Sequence, residues 1–548
     1  MRGGLALVVV GAWVAWLIRL VPADGGLGHD WGYFLPQLLA AEQWFRLNGP
    51  FSTPQFTPAF CGGVPLFANP QALPWSLPQA LFAGFGTAGA VWGTLALSAL
   101  GGAMGMAALL RRSFRLSSEA AALGAALFLF GGFLTHRLLA GHLTYHVFAL
   151  VPWMAHLALA EGRAAPRVAG IGLMVAALLY GGAANFLAPA GLMIAGALLI
   201  RPTGRSSWLV AGGGLALGLA IGAAKIAAGV AFLASFPRAE TPIALFGKGL
   251  ELARVAAVGL FAPGLLDPLV RLSTNSADLL RHEFEMGVSV VPAVLLAAWA
   301  IRARGRPALG LAPVLLAPLV VTLGDADWAA FLKTLPYVGN NAHMVRWWSV
   351  WSFLGMLAAP FAFERLTPPA RRPAALAALC LLIAAQAHLG VQPQAFARFD
   401  PGPVERAHQA LASGTNLPPI TAIGLSPTDG RRDSPFLDGV SALNCYEPIF
   451  GYRQQSFPRG ALTPGPALAA GPAGLNVKNP ACLVWGAANA CAPGDHFPAE
   501  RRDDAAAFLA WRPFPFAVPW WQSAAQALGA VALLGALLAM VAKRRRGG

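Results

Sequence analysis

Charge is what this sequence has least of. Only 11% of its 548 residues are Asp, Glu, Lys or Arg, and 56% are hydrophobic. Soluble domains carry about 25% charged residues, so the composition excludes an ordinary soluble protein. The net charge of +15 does not mark a nucleic-acid binder, because the Arg residues sit in short clusters between apolar runs rather than on one basic face. Cysteine is scarce: five residues, with no CxxC or mixed Cys/His spacing, which argues against structural zinc. Also lacking are a fixed-period repeat and an inverted repeat of broken helices, and that weighs against a secondary transporter.

What is present is a series of long apolar runs, and a membrane span needs roughly 20 mostly apolar residues. The runs predict about twelve transmembrane helices, at 4–22, 89–110, 117–135, 146–161, 168–184, 185–200, 207–235, 287–301, 307–323, 347–364, 373–391 and 520–542. Residues 4–22 read as a retained first helix rather than a cleaved leader, and 76–88 as an interfacial helix too short to span. Short Arg-rich loops alternate with long mixed ones at 23–88, 136–145, 236–286, 324–346 and 392–519. The positive-inside bias then places both termini, including the tail Lys543–Arg546, in the cytoplasm, and the long loops outside. The fold class expected is an α-helical polytopic protein of a bacterial inner membrane. Residues 1–391 form its membrane domain, 392–519 a small mainly β or α+β extracytoplasmic domain, and 520–548 the last helix and basic tail.

Cys61, Cys445, Cys482 and Cys491 fall on the outer, oxidising side and Cys380 in a span. Cys482 and Cys491 are close enough in sequence to close a small loop, with free thiols as the plain alternative. In the 392–519 segment the aromatic-rich stretch 444–452 reads as the core of a strand pair. Chemistry concentrates in the first outer loop, GHDWGYFLPQ (28–37) and FCGGVPLFANPQALPWSLPQ (60–79). A carboxylate just past the first span, among aromatics and glycines, is a candidate general base: Asp30 can take a proton from a hydroxyl while its surroundings tune its pKa. Asp is equally a common helix N-cap.

These stretches resemble the YfhO-like branch of the C-type glycosyltransferases, multi-spanning enzymes that use a polyprenyl-phosphate sugar. The likeness rests on an Asp after the first helix, then Gly62 to Gln71, RLLAGH (137–142), GAAKIAAGVAFLASFPR (222–238), FEMGVSVVPAVLLA (284–297), NNAHMVRWWSVWSF (340–353) and LNVKNPACLVW (475–485), in the family's order. In the last of these, Asn479 stands where the family usually has an aromatic. The resemblance implies a catalytic core in the first seven helices, inverting sugar transfer at the outer leaflet, and Asp30 as the base. Many C-type enzymes carry a second acidic residue in the loop matching 136–145, which can help bind a metal. Here that loop has no carboxylate, which implies metal-independent transfer without a cofactor and counts against protein N-glycosylation.

A departing lipid phosphate needs cations aimed at it, and guanidinium groups suit it best. Arg137, Arg238 and Arg346 lie near outer helix ends; snorkelling to headgroups is the alternative for each. Lys225, deep in an apolar helix where a charge is costly, is a further candidate for the phosphate, or else a structural pair. His29, Asn69, Gln71, His142 and His146 are candidates for sugar or phosphate contacts. Glu285, beside His282 and Glu283, suits a cation or the acceptor, or a solvated cap. Trp31 and Tyr33 are candidates for stacking, though aromatics also populate membrane interfaces. The expected partners are the bilayer, the lipid-linked sugar and a glycan, glycolipid or protein acceptor. A lipid-linked-glycan transporter or flippase and a non-catalytic scaffold are the competing readings.

Overall fold

The structure, a computed structural model, describes residues 2–21, 26–201, 204–235, 257–262, 285–302, 334, 344–391, 398–425, 435–443 and 462–541. The predicted span 307–323, Arg238, the segment 444–452 and the basic tail lie outside the described residues.

The protein is mainly helical. Among the described residues four helices are long and apolar enough to cross a membrane: Leu77–Ser113, Ser118–Ala140, Pro369–Leu389 and Trp520–Val541. A fifth candidate is the pair Arg205–Ile221 and Ala223–Ser235, bent by 67° at its break. The sequence reads 207–235 as one span; Gly222, between the two helices, is where the backbone turns. Shorter apolar helices occupy Gly4–Leu20, Leu143–Leu159, Ala164–Tyr180, Ala184–Ile200 and Val291–Arg302. Helix Trp348–Leu366 is buried on almost every side, as expected for a helix apolar all round, and forms a central post.

Two boundaries differ from expectation in ways that matter. The segment 76–88 is not a separate interfacial helix. Ser76 caps Leu77–Ala88 by accepting from the Gln79 N–H, and the chain then runs on through 89–113. Gly86 kinks it with φ 63° and ψ −151°, a conformation suited to glycine. The Glu405 carboxylate accepts both the N–H and the hydroxyl of Thr87 just beyond, at 2.8 and 2.7 Å. The second correction is the outer loop expected at 136–145. Helix Gly132–Ala140 continues through it to the left-handed Gly141, so Arg137 lies in a buried last turn.

Small residues set the helix spacing. A Cβ at Gly214 would stand 2.5 Å from Ile171, and one at Gly218 2.4 Å from Val175. Helices Ala164–Tyr180 and Arg205–Ile221 therefore pack backbone to backbone, the pattern that drives association where no water is expelled. The last helix, Trp520–Val541, lies against this pair, and Gln522 donates to the Ala224 carbonyl at 3.1 Å.

The stretch 398–519 contains helices Gly402–Ala412, Pro480–Trp485 and Arg502–Leu509 and strands of two or three residues. Ala422–Gly424 pairs with Val440–Ala442 in parallel and Gly465–Pro466 antiparallel. It shares one hydrophobic core with the first outer loop. Leu27–Gly28 pairs with Arg398–Phe399, the Gly62 N–H donates to the Ser441 hydroxyl, and the Lys478 N–H donates to the Gly62 carbonyl. Phe56 packs among Trp485, Phe514 and Phe516. Cys482 and Cys491 form a disulfide, Cys61 is disulfide-bonded, and Cys380 is a buried free thiol.

Lys478 anchors this junction from inside. Its ammonium donates to the Gly494 carbonyl and to Nε2 of His496. Burial pushes it down to about 8, against the pull of the Asp495 carboxylate. In the unfolded chain a lysine titrates near about 10.4. Between those values the unfolded state holds a proton that the folded state lacks, so stability rises with pH across the window. Thermal unfolding midpoints followed from about pH 8 to about pH 10 should show this rise in the wild type and less of it in Lys478→Met. Parallel profiles would show that Lys478 is not its source.

Candidate functional site

Asp30 stands where helix Trp31–Asn48 begins, but it is not a cap. Its backbone is already helical, with φ −71° and ψ −14°, and its side chain makes no capping bond. The carboxylate turns to the neighbouring helix end instead, with Oδ2 2.6 Å from Nε2 of His142 and Oδ1 3.2 Å from Nε2 of His29.

Two glycines permit this approach. Gly28 passes so close to Ala140 that a Cβ would lie 2.5 Å from its carbonyl oxygen. Gly141, at φ 102°, faces the other way, where a Cβ would lie 2.3 Å from the Trp31 nitrogen. The Asp30 N–H then donates to the Ala140 carbonyl at 3.2 Å. The first outer loop is thereby sealed onto the end of helix Gly132–Ala140.

Arg137 completes the arrangement from within. Its Nη1 is 3.0 Å from Nδ1 of His142. A guanidinium can only donate, so Nδ1 accepts, and the ring proton sits on Nε2, facing Asp30. Arg137 is wholly buried, with its guanidinium 5.8 Å from the Phe133 ring centroid and 5.5 Å from that of Tyr145. Arg346, half-buried at the start of the central helix, stands 6.0 Å from the same Tyr145 ring. Two of the predicted cations therefore converge on one aromatic beside the His142–Asp30 pair, a cation–π arrangement of the usual reach.

Other expected residues are placed differently. Lys225 is buried, and its ammonium lies 3.2, 3.0 and 3.2 Å from the carbonyl oxygens of Phe67, Asn69 and Ala72. Three donors meet three main-chain acceptors, a contact that ties Lys225 to the 67–72 turn. Asn69 belongs to the same knot. It donates to the Tyr33 hydroxyl at 3.0 Å and accepts the Gln71 N–H at 2.8 Å. Trp31 and Tyr33 are 0% and 1% exposed, which corrects the expectation that they stack on a sugar: they are core. Glu285 lies apart from Asp30, 3.7 Å from Nε2 of His136. His146 bonds the Leu143 carbonyl through Nδ1 at 2.8 Å and lines a different cavity. Among the described residues no three His, Cys, Asp or Glu side chains are grouped to hold a metal ion.

Sequence reasoning missed Tyr145 as the meeting point of the two Arg residues. It also missed Glu42, buried at 3% and bonded to both Arg46 and His408. The spacing of Glu42 and Arg46, one helical turn apart, was the available signal; His408, in a distant segment, gave none.

The two roles considered for Lys225 separate by experiment. Lys225→Met leaves three buried carbonyls without a donor, at a cost of about 1–3 kcal/mol or more. The thermal unfolding midpoint in detergent should fall, with the 67–72 turn becoming sensitive to protease. Unchanged stability together with lost turnover would favour the phosphate role.

Neither protein-family models nor curated proteins give a match to this sequence, so the YfhO-like resemblance rests on its motifs alone. Among solved structures the chain is similar to the arabinofuranosyltransferase AftD from Mycobacteria, at 17% identity, with a TM-score of 0.45 over 78% of this chain. The chain covers 30% of that protein's length, and at this level the likeness carries no argument about chemistry.

Proposed function

We propose that this protein is a membrane glycosyltransferase that moves a sugar from a polyprenyl-phosphate donor to an acceptor hydroxyl, with Asp30 as general base. One observation carries the reading. A buried carboxylate is oriented by two imidazoles, one of them fixed by a buried arginine, with a second arginine converging on the same aromatic.

The chemistry follows from those groups. Asp30 takes the proton of the acceptor O–H, and the oxygen forms a bond to the anomeric carbon. The bond from that carbon to the phosphate oxygen breaks, and the leaving lipid phosphate carries away the electron pair. Arg137 and Arg346 are suited to the growing negative charge, because fixed donors in a site with little water stabilise it without reorganising. His142 is a positioning residue: its Nε2–H holds one carboxylate oxygen and fixes the orientation of the carboxylate.

Deletion of the gene, complemented by wild type or Asp30→Asn, tests this, with polyprenyl-phosphate sugars and envelope glycans profiled by mass spectrometry. The expected result is accumulation of one lipid-linked sugar, loss of that sugar from a glycan, and rescue by wild type alone. Purified Asp30→Asn should lose about 10²–10⁴ in turnover. Full complementation by Asp30→Asn would remove Asp30 as the base.

A further inference from the structure

Residues of the helix that follows Asp30 and of the turn that follows His142 line a cavity of about 910 Å³. It is at the upper end of the roughly 300–1,000 Å³ typical of small-molecule sites. The same two segments that build the Asp30 site contribute to its lining. His142 faces Asp30, whereas His146, Ala149 and Leu150 line the cavity. Asn69 and Gln71 meet Tyr33 and Lys225, whereas Pro74, Trp75 and Ser76 line the cavity.

The lining offers acceptors without partners. Gln79 is 5% exposed. Its amide nitrogen is committed to the Leu38 carbonyl, and its Oε1 has no partner. Ser98, 3% exposed, has an unpartnered hydroxyl. The Nδ1 of His146 donates to the Leu143 carbonyl, which makes Nε2 of the neutral ring an acceptor. Buried polar atoms without partners are rare and call for an explanation. Arg46 is the single Lys or Arg in the lining, and it already gives Nε and Nη2 to Oε1 of Glu42 at 2.9 and 2.8 Å. This is a poor place for an anion and a good one for groups that donate hydrogen bonds. The rest of the wall is apolar and aromatic, with Trp75 held edge-on against Phe67 and Tyr180, and Trp153 fixed by its N–H on the Gly101 carbonyl.

We infer that this cavity seats an uncharged glycolipid. Its sugar hydroxyls donate to Gln79, Ser98 and His146, a ring face lies on a tryptophan, and its chain follows the apolar wall. The preference for a neutral, hydroxyl-bearing amphiphile rests on the lining alone and does not depend on the glycosyl-transfer reading.

The test uses the full-length protein in lipid nanodiscs. Radiolabelled dodecyl β-glucoside and dodecyl phosphate serve as probes, with protein-free nanodiscs subtracted. Saturable glucoside binding is expected, with the phosphate at least about tenfold weaker, and a loss of about tenfold in Ser98→Ala, the equivalent of one hydrogen bond. Ala80→Trp, on the exposed rim of the cavity, should block binding without entering the core; Ser98→Ala, a small deletion, covers the case in which that variant misfolds. Equal binding of the two probes, or glucoside binding unchanged in both variants, overturns the inference. Asp30→Asn keeps the two readings apart. No saturable glucoside binding while Asp30→Asn abolishes transfer would remove this inference alone. Specific binding with transfer intact in Asp30→Asn would remove the base and leave the cavity as a site for a neutral amphiphile.

Discussion

A carboxylate buried among apolar helices has to be surrounded by donors, and the way Asp30 obtains them shapes how residues 26–37 pack on residues 132–145. Its partner His142 lies just past the end of helix Gly132–Ala140, reachable because Gly28 and Gly141 let two backbones nearly touch. His142 is held in turn by Arg137, which is itself wholly buried and supported by two aromatic rings.

The same constraint is met elsewhere in ways that tie distant parts of the chain together. Lys225 satisfies its charge on three carbonyls of the 67–72 turn, so a helix from the seventh predicted span fixes the first outer loop. Glu42 accepts from His408 at 2.8 Å on one oxygen and from Arg46 on the other, and Glu405 caps the chain at the Gly86 kink. Helix Gly402–Ala412 is thus clamped by its charged residues to two helices of the amino-terminal half. With Lys478 and Gly62 bonded below, the first outer loop is held from three directions.

The apolar helices were legible in the sequence because their cause is local: a long run of apolar residues can do little else in a membrane. Helices such as Arg372–Leu389 and Trp520–Val541 fall within a few residues of their expected bounds. The errors arose where the decisive contact lies elsewhere in the chain. Helix Gly132–Ala140 reads as loop from RLLAGH, because Arg and His look solvent-bound until Asp30 and Tyr145 are brought beside them. The kink at Gly86 is set by Glu405, more than three hundred residues away. Lys225 was recognisable as an oddity, but its partners are main-chain oxygens, which leave no mark in a sequence. Asp30, Arg137 and Arg346 were singled out individually; that His142 and Tyr145 join them could come only from the fold.

The geometry also limits how a proton can travel if Asp30 takes one. His142 already carries its ring proton on the nitrogen facing Asp30, since its other nitrogen accepts from Arg137. It cannot receive a proton from Asp30 at Nε2, nor pass one through to a guanidinium, which has no lone pair to offer. The Arg137–His142 pair is therefore an orienting arm and not a relay. Its effect on Asp30 is to hold one carboxylate oxygen by a donor. A proton gained at Asp30 must leave by the carboxylate's other oxygen, through His29 or solvent. That oxygen faces His29, which sits 3.2 Å away on the loop before the helix. A proton exchanged there leaves the Arg137–His142 contact in place.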